Sequence, residues 1–134
     1  MKNVALIGAL ILAIAVFLGG HLINSAPQKV FRVGSECNYP INNWTENVKT
    51  DTNILLANKK DLFAEGFDIQ VAKFVADKMD AELEVYQFEW NELIPALNEG
   101  KIDAIFSAIL DTNDRRKLIA FSNPYKSFHI FYIY

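Results

Sequence analysis

The stretch Lys101-Ile102-Asp103-Ala104-Ile105-Phe106-Ser107-Ala108-Ile109-Leu110-Asp111-Thr112-Asn113-Asp114-Arg115 decides the fold. Residues 102–109 are a short, mainly apolar run bounded by polar residues, which reads as a buried strand over 102–107. Thr112 follows, then an amide, an acid and Arg115. Asp111 or Thr112 caps a helix predicted over residues 112–118. A strand that feeds a capped helix brings helix N–H groups and a guanidinium to the strand's carboxyl end. Both donate toward one place, an arrangement that suits a carboxylate.

Upstream, residues 90–98 read as a short helix. Pro95 makes its first turn irregular, and Gly100 ends it. Residues 83–88 read as a strand. Residues 68–79 set Ile69, Ala72, Val75, Ala76 and Met79 on one face and Lys73, Asp77 and Lys78 opposite, an amphipathic helix. Asp68 caps that helix or favours its positive start. Residues 30–35 form the first strand. Residues 38–53, with Pro40 and Asn42-Asn43, read as a loop or ragged hairpin, and residues 58–66 as a polar turn. Residues 127–134, aromatic and β-branched, read as a fourth strand.

Strands alternating with helices define an α/β chain with a mostly parallel sheet flanked by helices on both faces. In such sheets ligands bind beyond the carboxyl ends of the strands. The candidate site therefore draws on residues 36–39, 88–90 and 107–115.

The chain has 134 residues, enough for one domain beyond its N-terminal segment. Its 13 basic and 16 acidic residues are mixed along the sequence, so no basic run marks it for nucleic acid. Cys37 is the one cysteine, which excludes an internal disulfide and a CxxC site. His21 and His129 are far apart, against a zinc site of histidine and cysteine. Asn43-Trp44-Thr45 matches a glycosylation sequon, a three-residue match of little weight.

Residues 4–23 carry no charge and follow Met1-Lys2-Asn3, which fits a secretory signal or an uncleaved membrane anchor. Pro27, just after Asn24-Ser25-Ala26, disfavours cleavage there. No cysteine follows the apolar run, so a lipoprotein anchor is absent. Either reading puts residues 27–134 outside the cytoplasmic membrane. The expected organisation is residues 1–26 as signal peptide or anchor and residues 27–134 as the folded lobe.

Four ordered blocks then carry a family resemblance. Phe31-Arg32-Val33-Gly34-Ser35-Glu36-Cys37-Asn38-Tyr39-Pro40 resembles the opening strand of extracellular solute-binding proteins, family 3, the periplasmic-binding-protein type II-like receptors for polar amino acids. Gly66-Phe67-Asp68-Ile69 with Ala72 resembles their GFD-x-x-x-A helix start. Trp90-Asn91-Glu92-Leu93-Ile94-Pro95-Ala96-Leu97, with Gly100-Lys101-Ile102-Asp103, resembles the W-x-x-L-I-P-A-L-x-x-G-K-x-D block. Thr112-Asn113-Asp114-Arg115 and Phe121-Ser122-Asn123-Pro124-Tyr125 resemble the T-x-x-R and F-S-x-P-Y blocks.

The resemblance implies two lobes that close on an amino acid, of which this chain looks like the first, with the second missing. It implies that Arg115 pairs with the ligand's α-carboxylate, with the Thr112 N–H beside it. Tyr39 would cover the ligand's side chain, and the Ala108 carbonyl would accept from its α-ammonium. Ser107 would add a hydroxyl, Glu36 would stand as an acid near the cleft, and Trp90 would wall the cleft or pack on the sheet. For Arg115 the residues alone leave open a surface pairing with Asp111 or Asp114. Leu110 departs from the family's Ser or Thr and removes a donor; Asp111 adds negative charge beside it.

The implied function is non-enzymatic binding of a polar amino acid for an ABC importer. The partners are its permease and, through the N-terminal segment, the membrane; no cofactor or metal is implied. A sensor domain of a membrane signalling protein and a degenerate remnant without ligand are the alternatives. An enzyme of this fold would need a positioned acid or base, for which Glu36 is the sole candidate.

Overall fold

The computed structural model describes residues 28–127. The expected signal or anchor at residues 1–26 and the strand expected at 127–134 (Ser127 apart) lie outside the described residues.

Strand β1 (Val30–Ser35) is central in a parallel sheet of order β6-β1-β7, with β6 at Glu82–Gln87 and β7 at Ala104–Ile105. Val33 pairs with Val85 on one side and Ala104 on the other. Helix α1 (Phe67–Lys78) covers one face. Its Ala72 and Ala76 are small enough to bring the helix close, and they meet Phe31, Val33 and Phe106. Helix α2 (Leu93–Asn98) covers the other face, where Leu93 and Ile102 close over Gly34. A Cβ on Gly34 would stand 2.4 Å from Ile102 Cδ1, so any larger residue at this strand position must displace that side-chain tip.

Residues 38–65 supply a second sheet, antiparallel, of order β2-β3-β5-β4. Its strands are β2 (Asn38–Tyr39), β3 (Asn43–Glu46), β4 (Ile54–Leu55) and β5 (Phe63–Glu65). This corrects the polar turn expected at residues 58–66. Phe63-Ala64-Glu65 is too short for a clear alternation, yet Ala64 is fully buried and pairs with Thr45 and Ile54. Leu56, Ala64, Ile69, Val85 and Cys37 form the core that joins the two sheets. Each such Leu, Ile or Val contributes about 1.5–3 kcal/mol by leaving water.

Four boundaries differ from the sequence reading. Asp68 does not cap α1: Gly66 takes the N-cap position, and the Asp68 carboxylate is buried in side-chain bonds. Met79 follows the helix as C-cap and is 37% exposed instead of facing the core. The third strand shrinks to Ala104–Ile105, although the Phe106 N–H still reaches Gly34 O at 2.9 Å. The helix at 112–118 shrinks to α3 (Asn113–Arg116), one turn capped by Thr112.

The irregular start expected around Pro95 is present: a 3₁₀ turn, Trp90–Glu92, leads into α2. Glu89 and Glu92 cap one another across it. Gly100 then takes φ 70°, a left-handed position just past the helix end.

Candidate functional site

The carboxyl ends of β1, β6 and β7 assemble the site. The Glu36 N–H donates to Ser107 Oγ at 2.9 Å, and Gln87 Nε2 donates to the Glu36 carbonyl at 3.1 Å. Both backbone groups of Glu36 are thus held by the neighbouring strand ends. Gln87 is itself fixed by Asn58, which exchanges two hydrogen bonds with its backbone at 2.7 and 2.9 Å. Ser107 is buried, and its hydroxyl oxygen accepts from the Glu36 N–H, which leaves its own O–H to donate elsewhere. Cys37 has φ 53° and its thiol is pushed up to about 11, burial being the main cause, so it is an inert member of the core.

Arg115 rises from the single turn of α3. Its guanidinium lies 5.2 Å from the Trp90 ring centroid, and Nη1 donates to the Leu110 carbonyl at 2.8 Å. The pairing with Asp111 or Asp114 left open by the sequence does not occur. Asp111 is bound by Arg116, whose Nε donates to Oδ1 at 2.6 Å, and Asp114 by Lys117 at 2.6 Å. These neighbours compensate the acids beside Arg115, including the charge that Asp111 was expected to turn on a ligand.

Thr112 Oγ1 accepts from the Arg115 N–H at 3.3 Å. One of the N–H groups expected to face an anion is therefore partly used, and a single turn carries little of a macrodipole. Ala108 has φ 48°, which turns the chain between β7 and α3. Leu110 is exposed.

The structure brings Arg115, Trp90 and Thr112 together, and separately Glu36 and Ser107. Tyr39 belongs to neither group: it lies on β2, about half exposed, and no hydrogen bond or ring contact joins it to Arg115 among the described residues. Sequence reasoning missed Gln87 and Asn58, because a pair 29 residues apart leaves no local signal.

Beside this cluster a cavity of about 690 Å³ separates α1 and the β7 strand from residues 119–126. Ala108 and Leu110 reach its wall; Arg115, Thr112, Trp90, Glu36 and Tyr39 do not. Among the described residues no group of His, Cys, Asp and Glu is arranged to hold a metal.

Residues 48–134 match the family described as bacterial extracellular solute-binding proteins, family 3. The L-arginine-binding protein of Pseudomonas aeruginosa is 32% identical over 125 residues, which cover 93% of this chain and 41% of that protein. The arginine-bound form of domain 1 from TmArgBP superposes with a TM-score of 0.59 at 30% identity, over 72% of this chain and 66% of that one. An ancestral arginine-binding protein bound to glutamine gives a TM-score of 0.60 at 31% identity, over 75% of this chain and 39% of that one. The chain thus spans less than half the length of the full-length relatives it matches. Sequence blocks, parallel sheet and matched relatives agree, and the chain belongs to the bacterial extracellular solute-binding proteins of family 3.

Proposed function

We propose that this chain is the first lobe of an extracytoplasmic amino-acid-binding module, and that Arg115 receives the ligand's α-carboxylate. The observation that carries this reading is the state of that guanidinium. Trp90 and the Leu110 carbonyl hold it in place, while Arg116 and Lys117 occupy the two nearby acids. Among the described residues its hydrogen bond to another residue uses Nη1, so the Nε–Nη2 edge is the side offered to a bidentate acceptor.

The Ala108 carbonyl and the Thr112 N–H, two residues either side of Leu110 in the chain, would complete the set of ligand contacts. Glu36, clamped at the end of β1, adds an acid suited to a cationic side chain, in keeping with relatives named for arginine. Tyr39 contributes only if closure with a second lobe brings β2 toward the ligand. Binding without turnover is part of the reading, in keeping with a family of solute-binding proteins and relatives named as binding proteins.

The module would deliver its ligand to the permease of an ABC importer. Residues 1–26 would serve as signal or membrane anchor and residues 27–134 as the lobe. Among the described residues no helix is long and apolar enough to cross a membrane. A lone lobe leaves one side of the ligand in water, so its affinity falls well below that of a closed pair.

Calorimetry with arginine, histidine and glutamine tests the reading. Heat of binding for at least one of them, lost in Arg115→Ala, supports it. Equal affinity in wild type and Arg115→Ala removes Arg115 from the site.

A further inference from the structure

After α3 the chain crosses the lobe as a strap over residues 119–126, with the 690 Å³ cavity beneath it. Its near end is tied to α3 by the Ile119 N–H, which donates to Arg115 O at 2.9 Å. Its far end is fastened by Tyr125, whose hydroxyl donates to Asp68 Oδ1 at 2.9 Å. Asp68 is 1% exposed, and its other oxygen accepts from Asn43 Nδ2 at 2.8 Å. Burial and the adjacent Asp68 charge raise the Tyr125 phenol, which keeps it a donor at all ordinary pH.

The Tyr125 ring also stacks on Phe106 at 5.9 Å and lies 6.1 Å from Phe67. Phe106 immediately precedes Ser107 and Ala108. One aromatic side chain therefore touches both boundaries of the candidate site: the end of β7 directly, and α3 through the strap.

We propose that Asp68 and Tyr125 are positioning residues, a latch that holds the end of β7 and the Arg115 turn in the arrangement that meets a carboxylate. The ligand part of this inference rests on the function proposed above; the positioning part does not. Without the latch hydrogen bond, the strap loses its tie to the buried Asp68 at the edge of the cavity. α3, a single turn with little stability of its own, would then drift from Trp90.

The test uses the whole chain in a Trp44→Phe background, so that Trp90 is the sole indole. Tyr125→Phe removes the latch hydroxyl and keeps the ring. Under conditions where circular dichroism shows full folding, quenching of Trp90 by the neutral quencher acrylamide is expected to rise, because Arg115 no longer covers it. Arginine affinity is expected to weaken about tenfold, the loss typical of one hydrogen bond to a charged group. Asp68→Asn retains an acceptor for the phenol, and a turn of the Asn43 amide satisfies the new N–H₂; it is expected to quench like the parent.

Unchanged Trp90 quenching in Tyr125→Phe overturns the latch, even if the melting temperature falls. Raised quenching with unchanged arginine affinity overturns its positioning role. If the parent chain binds no arginine, the ligand reading fails and the quenching comparison alone decides the latch. If Tyr125→Phe does not fold, the double variant Asp68→Asn/Tyr125→Phe, which strands no buried charge, carries the same comparison.

Discussion

Arg115 lies over the Trp90 ring across a sequence gap that joins the third helix to the 3₁₀ turn after β6, with 5.2 Å between guanidinium carbon and ring centroid. Arg115→Lys should keep the charge and lose the forked donors. We expect arginine affinity to fall at least tenfold in Arg115→Lys and to vanish in Arg115→Ala. Calorimetry checks both, and a Lys variant indistinguishable from wild type contradicts the bidentate role.

Leu110 lends the site only its carbonyl, and its side chain stands exposed. Leu110→Ser should supply a hydroxyl donor to a bound carboxylate without disturbing the core. The expected gain in arginine affinity is about tenfold. No gain, with folding intact, would place the carboxylate elsewhere.

The two glycines discriminate between soft and hard obstruction. A Cβ on Gly34 meets the tip of Ile102, whereas a Cβ on Gly66 meets the Asn42 carbonyl oxygen at 2.4 Å and sits at φ 121°. A side-chain tip can move and backbone cannot. Gly34→Ala should therefore cost about 1–3 kcal/mol, and Gly66→Ala more. Adding Ile102→Val should recover part of the Gly34→Ala loss. Urea titrations of the three variants give the order.

Acid should weaken the fold through two carboxylates. Hydrogen bonds from Arg32 hold Asp103 below the usual range. Burial alone would raise Glu65, but bonds from Thr52, the Gly66 N–H, Thr50 and Gln70 outweigh it and lower the group. Both pKa values are lower folded than unfolded, so their stabilisation is complete above the ordinary carboxylate range. It is lost as pH falls below about 4 and through the folded values. The urea midpoint should be flat near neutrality and drop toward pH ~3, less so in Asp103→Asn. An equal drop in that variant would assign the effect to other groups.

Much of this lobe is written in its sequence, for identifiable reasons. α1 carries its core face at regular spacing, β1 and β6 hold continuous apolar or alternating runs, and Gly100 punctuates a helix end. The place of Arg115 on a capped turn just past β7 is legible because a cap and a guanidinium follow a buried strand directly. Of the antiparallel sheet only the β2–β3 hairpin is legible, as one reading of residues 38–53; β4 and β5 are not, since they are two and three residues long and β5 pairs with β3 from a distant part of the chain. The role of Asp68 is hidden for the same reason: beside a helix start it reads as a cap, while its partners are 25 and 57 residues away. The use of Ser107 on a backbone N–H is equally invisible from composition.

Asn43 has its side chain fully enclosed, with Nδ2 committed to the Asp68 carboxylate. The sequon Asn43-Trp44-Thr45 is therefore closed to an oligosaccharyltransferase once the lobe has formed. In a eukaryotic secretory host, a glycan at this asparagine would mark molecules caught before they folded. Its attachment would also bar them from reaching the native state, so a bare Asn43 in secreted material would serve as a record of folding that outpaced modification.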